Sequence, residues 1–189
     1  MKKYFVVLST FLFFFCSELS AQSISLGTYV PYAFKAQSNM QGSSTKVALN
    51  PFVSVGWSLP LSGRRHFALP ELGLVHHTDR ADDTSVRTFF VLYNLGFAWN
   101  RHFMLRYGFG TFATRISGSG ETIVLNDGGG MSEFYSPSEA ETTYTTTANL
   151  GGEFRFNREW SAKLDLHLLG ALSSEKRKVS YMASFVYYW

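Results

Sequence analysis

From Ser23 to the end of the chain, apolar and polar residues alternate with a period of two in one segment after another. That is the pattern of strands with two unlike faces. The first segment sets Ile24, Leu26, Thr28, Val30, Tyr32 and Phe34 against Ser23, Ser25, Gly27, Tyr29 and Ala33. The second sets Val47, Leu49, Val53, Val55, Trp57, Leu59 and Leu61 against Asn50, Ser54, Gly56 and Ser58. The third, the weakest, spans Phe67 to His76, with Leu72 and Leu74 opposite Glu71 and Gly73. In the fourth, Phe89, Val91, Tyr93, Leu95, Phe97 and Trp99 oppose Thr88, Asn94, Gly96 and Ala98. The fifth places Phe103, Leu105, Tyr107 and Phe109 against Arg106, Gly108 and Gly110. The sixth places Tyr144, Ala148, Leu150, Phe154 and Phe156 against Thr145, Thr147, Asn149, Glu153 and Arg155. The seventh pairs Trp160, Ala162, Leu164, Leu166 and Leu168 with Ser161, Lys163, Asp165 and His167. The last runs Val179, Tyr181, Ala183, Phe185, Tyr187 and Trp189 against Ser180, Ser184 and Tyr188. No segment of this region has the 3.6-residue period of an amphipathic helix.

The connections alternate in length. They are short at Ser62–His66, Asn100–His102 and Asn157–Glu159, and longer at Lys35–Thr45, His77–Ser85, Ser117–Ala140 and Ser173–Lys178. Short turns at one end and long loops at the other describe an all-β, eight-stranded antiparallel up-and-down transmembrane barrel. The strands reach the roughly 9–11 residues that a tilted strand needs to cross a bilayer. Closure removes the unpaired edges that hydrocarbon does not tolerate. Trp57, Trp99, Phe103, Phe156, Trp160 and Trp189 fall at the short-turn end, and Tyr32, Phe34, Phe89 and Tyr144 toward the loop end. These are the two aromatic girdles of a bilayer-spanning barrel. The competing architecture is a secreted soluble barrel or sandwich with its apolar face turned inward. It would crowd the whole aromatic face into an interior that side chains of eight strands only just fill.

Ahead of the strands lies a different kind of segment. Lys2 and Lys3 precede an apolar run from Tyr4 to Phe15, interrupted by Ser9 and Thr10, and Leu19-Ser20-Ala21 supplies small residues before Gln22. This order predicts a secretory signal peptide over 1–21, cleaved after Ala21, with the barrel occupying 22–189. The run is shorter than a spanning helix. A lipoprotein reading would acylate Cys16, but Phe15 stands where a small residue is wanted. Cleavage removes Lys2, Lys3 and Glu18, so the 17 basic and 14 acidic residues of the chain leave a mature charge of +2. It also removes the single cysteine, which excludes a disulfide framework and a Cys-rich metal module. Charged residues are 16% of the chain and aromatic ones 17%, with 18 Phe, 10 Tyr and 4 Trp, a balance that excludes an intrinsically disordered polymer. A mean hydropathy of −0.03 excludes a bundle of membrane helices. No basic stripe or motif calls for nucleic acid.

The signal segment, the eight alternating strands and the terminal strand Val179–Trp189 resemble the small outer-membrane barrels that include the outer membrane protein A transmembrane domain. The resemblance covers 22–189. It implies residence in the outer membrane of a diderm bacterium, contact with outer-membrane lipid and lipopolysaccharide, and delivery by the barrel-assembly machinery. Tyr181, Phe185, Tyr187 and the closing Trp189 resemble the terminal-strand signal that this machinery reads. The family contains anchors, adhesins, small-molecule conduits and a few lipid-modifying enzymes, so the resemblance specifies architecture better than activity.

Candidate chemistry is sparse. His76, His77, Asp79, Asp82 and Asp83 share one loop and could bind a metal or activate water, but their spacing matches no metal motif and a solvated loop accounts for them. Asn126-Asp127-Gly128-Gly129-Gly130 is similar to a single calcium-binding turn without the repeat such sites need. Lys176, Arg177 and Lys178 could meet lipopolysaccharide phosphates or simply be solvated. Lipid A deacylases of the eight-stranded type carry His-x-Ser-Asn on their seventh strand. Here the stretch is His167-Leu168-Leu169-Gly170, which keeps the histidine and lacks the nucleophile. The expectation is therefore a non-enzymatic barrel with no cofactor, displaying four loops. A lipid-modifying enzyme and a narrow channel are the alternatives. The Ser117–Ala140 loop is the largest, and its Ile123, Val124, Leu125, Phe134 and Tyr135 could form a contact surface or fold over the barrel mouth.

One constellation is specific. Glu71, Arg106, Glu153, Arg155, Lys163 and Asp165 share the less apolar face and lie near the short-turn ends of strands three, five, six and seven. Three carboxylates balance three cations, and buried charge must be paired. The sequence thus predicts an ion-pair network that plugs one half of the lumen, with a gate of exchanging pairs as its functional rival.

Overall fold

Alternation of this kind folds into a sheet because β-branched and aromatic side chains pack on a pleated surface, and the sheet closes because eight such strands leave no apolar face unpaired. The computed structural model describes residues 22–31, 49–61, 65–78, 85–118, 120, 122–126, 131–135, 138–172 and 177–189. Its strands are β1 (Gln22–Val30), β2 (Asn50–Trp57), β3 (Leu59–Pro60), β4 (His66–His76), β5 (Ser85–Ala98), β6 (Phe103–Ser117), β7 (Thr122–Asn126), β8 (Met131–Tyr135), β9 (Glu141–Arg155), β10 (Trp160–Leu169) and β11 (Lys178–Tyr188). All pairings are antiparallel. The ring runs β2-β1-β11-β10-β9-β6-β5-β4 and closes by the pairing of β4 with β2. The short β3 continues β2 past Ser58, and β7 and β8 form a separate hairpin in the longest connection.

The register fixes the shape. From Gly56, partners across the ring lead through Glu71, Leu92, Gly110, Thr147 and Leu169 to Lys178 on β11. In the other direction they lead through Ser23 to Tyr188 on the same strand. The two arrivals are ten residues apart, which is the stagger of the barrel. Such a stagger accompanies the strand tilt of roughly 35–45° that closed sheets adopt. Trp189 and Gln22 then exchange backbone hydrogen bonds, joining the two ends of the described chain.

Burial is inverted relative to a water-soluble protein. Phe89, Phe109, Leu150 and Phe185 are 56–67% exposed on the outside, whereas Glu153, Ser161, His167 and Ser180 are completely buried within. This excludes the soluble barrel with an inward apolar face, because the charged side chains hold the interior.

Two expectations need correction in detail. The Ser117–Ala140 connection is not strand-free, since β6 extends to Ser117 and the β7–β8 hairpin follows. Five-residue strands around a glycine-rich tip read as loop because each is too short to show its period. The single strand expected from Val47 to Leu61 is broken at Ser58. The segment 1–21, Tyr32, Phe34, Val47, Asp79, Asp82, Asp83, residues 127–130 and Lys176 lie outside the described residues.

Candidate functional site

Among the described residues the lumen is where the fold gathers chemistry-bearing side chains, and it is built in layers. Nearest the short turns, β4, β6, β9 and β10 deliver the six charged residues to one level. Arg106 is the hub. Its guanidinium lies 3.1 Å from Glu71, 3.1 Å from Glu153 and 3.4 Å from Asp165. Lys163 donates to Glu71 at 2.6 Å, and Arg155 approaches Glu153 at 3.4 Å. Ser54 donates to Glu71 at 2.7 Å and the Tyr188 hydroxyl to Glu153 at 2.5 Å. Arg155, the outermost member, also lies over the Tyr188 ring at 5.2 Å. All but Arg155 are at least nine-tenths buried. The carboxylates survive burial because each faces a cation: the Arg106 fork donates to Glu153 and Glu71 through its two Nη atoms, and its Nε faces Asp165 at ion-pair distance without a hydrogen bond.

Glycines make the room. Gly151 is the cross-strand neighbour of both Arg106 and Asp165, and a β-carbon there would collide with Asp165 Oδ1 and the Leu164 carbonyl. Beside the cluster the free volume shrinks to about 10 Å³, bounded by residues that include Ser23, Glu71, Arg106, Lys163 and Tyr188. That is at the lower limit of what a single water needs.

Above the charges lies a polar layer of another kind. Asn94, Asn149, His167 and Ser180 line up across β5, β9, β10 and β11, with Gly108 between the two asparagines. All four are buried, and their side-chain polar atoms make no hydrogen bond to any described residue. Nearest the loops the lumen turns apolar. Tyr29, Phe52, Val75, Phe90, Leu92, Phe112 and Met182 form one buried cluster, with Phe90 and Phe112 stacked at 5.6 Å. Phe112 also meets the His167 ring edge-on at 5.5 Å. His77 closes this layer, bonded to Thr88 at 2.8 Å and edge-on to Tyr29 at 6.1 Å.

In its three-dimensional course the chain is similar to Ail, the attachment invasion locus protein of Yersinia pestis, in its complex with the heparin analogue sucrose octasulfate. The TM-score is 0.51 at 11% identity, covering 89% of this chain and 98% of that one. The fold is that of a small outer-membrane β-barrel. Further likenesses are the N-terminal β-barrel domain of Pseudomonas aeruginosa OprF (TM-score 0.49, 11% identity, 90% and 98% covered) and the outer membrane enzyme PagL (TM-score 0.44, 11% identity, 89% and 98% covered). No family model matches the chain, and no curated protein matches it in sequence. At such identities the likeness speaks for the fold.

The six charged residues thus meet in one network. The apolar layer of the barrel is what the sequence reading left out. Phe52, Phe90, Leu92, Phe112 and Met182 occupy inward positions, where alternation calls for polar residues. The signal was a lapse of alternation, since Phe89-Phe90-Val91-Leu92 is apolar on both faces. His76 is exposed while His77 turns inward, so the two do not converge. Among the described residues no three His, Cys, Asp or Glu side chains gather as metal ligands. Tyr181, Phe185, Tyr187 and Trp189 share the outer face of β11 and its end, with Tyr187 between the rings of Trp160 and Trp189 at 5.0 and 6.3 Å. Arg177 and Lys178 are exposed.

Proposed function

We propose that this protein is a sealed integral barrel of the outer membrane of a diderm bacterium, exported with residues 1–21 as a cleaved signal peptide, and that it acts without catalysis through the surface its long connections present. The observation that carries this reading is the filled lumen. A balanced ion network occupies the short-turn half and an aromatic cluster the loop half. Among the described residues both halves are occupied by packed side chains, so transport is the less economical role. With short turns toward the periplasm, as in barrels of this type, the ion network is the periplasmic plug and the aromatic cluster the outer one. Lipopolysaccharide and outer-membrane lipid cover the apolar exterior, and the assembly machinery reads Tyr181, Phe185, Tyr187 and Trp189.

The non-enzymatic part of the reading is supported by His167. Its ring is wholly buried in the lumen between Asn149 and Ser180, away from lipid, and Leu169 and Gly170 stand where a deacylase carries its serine and asparagine. The decisive measurement is planar-bilayer recording of the purified protein, for which no steady conductance is expected. A steady ohmic current from the unmutated barrel would overturn the plug and favour the channel. Fractionation checks the location: the protein belongs with the outer membrane and shows a heat-dependent gel shift, and recovery as a soluble periplasmic protein without detergent refutes the placement.

A further inference from the structure

The outer surface is not uniformly convex. Between β6, β9 and β10 it carries an apolar groove of about 460 Å³, walled by Phe103, Leu150, Phe154, Leu164 and Leu166. Two small outward residues line it as well: Ala162 forms its floor, and the Phe103 ring packs onto Gly152. The groove runs from the Phe103–Phe154 pair to the Leu150–Leu166 pair, four residues along β9. That is roughly 13 Å of strand, inclined to the bilayer normal by the strand tilt and long enough to seat a segment of an acyl chain.

The mouth of the groove is built twice over from one local pattern. The turn before β6 reads Trp99-Asn100-Arg101-His102-Phe103, and the turn before β10 reads Phe156-Asn157-Arg158-Glu159-Trp160. Both are aromatic–Asn–Arg–x–aromatic. In each, the asparagine Oδ1 accepts two backbone N–H groups: His102 and Phe103 at 2.8 Å in the first, Glu159 and Trp160 at 2.9 and 2.7 Å in the second. The following arginine is thereby carried to the tip. Arg101 is fixed further, because its Nε donates to His102 Nε2 at 2.8 Å. His102 in turn is bonded to the Arg155 carbonyl at 3.1 Å and stacked on the groove wall at Phe154, 6.1 Å between centroids. Neither Arg101 nor Arg158 forms an ion pair with a described residue, and both are exposed. Arg101 lies two residues before the groove residue Phe103, and Arg158 four residues from both Phe154 and Ala162, so both turns stand at the short-turn end of the trough, beside the aromatic belt where lipid headgroups sit.

We propose that this groove binds a phospholipid of the periplasmic leaflet, one acyl chain lying over Ala162 and against the Phe103 ring and the phosphate held between Arg101 and Arg158. The proposal rests on the orientation given under Proposed function. Anionic headgroups are preferred, since two cations meet one phosphate and the acid in these two turns is Glu159. Its stem aligns with the trough while its charge remains at the interface, so neither part is placed in a foreign medium.

The test is native mass spectrometry of the full protein extracted in detergent and offered equal amounts of phosphatidylglycerol and phosphatidylethanolamine. The heat-dependent gel shift verifies that each sample is folded. The wild type is expected to retain one phosphatidylglycerol in preference. Arg101→Gln with Arg158→Gln should lower that preference by roughly thirtyfold, taking about 1 kcal/mol for each arginine near an anionic surface. Ala162→Leu fills the trough from the lipid side and should weaken retention of both lipids, and Ala162→Met serves if the leucine variant does not fold. Arg65→Gln, in another turn, should change nothing. Unchanged retention in the double arginine variant, an equal loss in Arg65→Gln, or no preference of the wild type for phosphatidylglycerol overturns the proposal. Binding in detergent is independent of cellular location, so fractionation tests the placement separately.

Discussion

Replacing Arg106 with alanine removes the one group that touches all three lumen carboxylates. Glu71 keeps Lys163 at 2.6 Å and Ser54 at 2.7 Å, and Glu153 keeps Tyr188 and Arg155. Asp165 loses its only ion pair among the described residues. The cluster changes from balanced to one net negative charge at a site where the Asp165 side chain is 1% exposed. Breaking one partner of a dry buried pair costs about 3–5 kcal/mol. The vacated guanidinium space would admit water from the Arg155 side, where exposure is 35%, so the lower end of that range is expected. Urea unfolding of the refolded barrel in lipid vesicles, followed by tryptophan fluorescence and by the gel shift, measures the loss. The double variant Arg106→Ala with Asp165→Asn discharges the stranded carboxylate and should recover about 1 kcal/mol or more, within the range of coupling for residues in one network. A single-variant loss below about 1 kcal/mol, or no recovery in the double variant, refutes the reasoning that the six charges form one desolvated unit.

Gly151→Ala should destabilise the barrel by about 1–3 kcal/mol, as overpacking does, since the new methyl meets Asp165 Oδ1 and a carbonyl; an unchanged urea midpoint sinks the argument for close approach. His167→Leu exchanges a ring without hydrogen bonds for an apolar side chain and should be neutral or stabilising by about 1 kcal/mol, whereas a loss above about 2 kcal/mol shows that its nitrogens are partnered. Deleting Tyr187 to Trp189 removes the Trp160–Tyr187 contact and the Gln22–Trp189 bonds, so folded protein in the outer membrane should fall sharply; wild-type amounts by quantitative blotting refute the assembly-signal reading. Phe112→Ala opens the outer plug by one large ring and should cost about 3–5 kcal/mol without producing conductance, because the ion network still seals the other half; a steady current locates the seal in the aromatic layer instead.

Most of the architecture is legible in the sequence because a spanning strand must separate lipid from lumen at every second residue. That constraint makes parity readable, and parity alone brings Glu71, Arg106, Glu153, Arg155, Lys163 and Asp165 to one face. Depth follows from counting residues to the short turns. What parity cannot show is a lumen position filled by an apolar side chain, since Phe90 and Leu92 look the same whether a strand is amphipathic or buried on both sides. The aromatic half of the plug was hidden for that reason. The lipid groove was hidden for another: Gly152 and Ala162 are unremarkable outward residues until β9 and β10 are set side by side in register. The polar layer of Asn94, Asn149 and His167 was seen only as a polar face, because which buried groups lack partners depends on distances across the barrel.

The ion network also constrains the order of events in membrane insertion. Glu71 and Lys163 are separated by 92 residues, and their strands become neighbours across the lumen only when β1 has joined β11 and β4 has joined β2. Until then β6, β9 and β10 can pair most of their charges with one another, but Glu71 on β4 would enter hydrocarbon without its cations, at a cost of several kcal/mol. A partly inserted open sheet is therefore an unstable species, and crossing the bilayer is coupled to shutting the ring. The same coupling operates in reverse. Opening the ring at any seam exposes the charged lumen to lipid, which raises the barrier to leaving the native state, so a barrel of modest equilibrium stability should still persist for long times in the membrane.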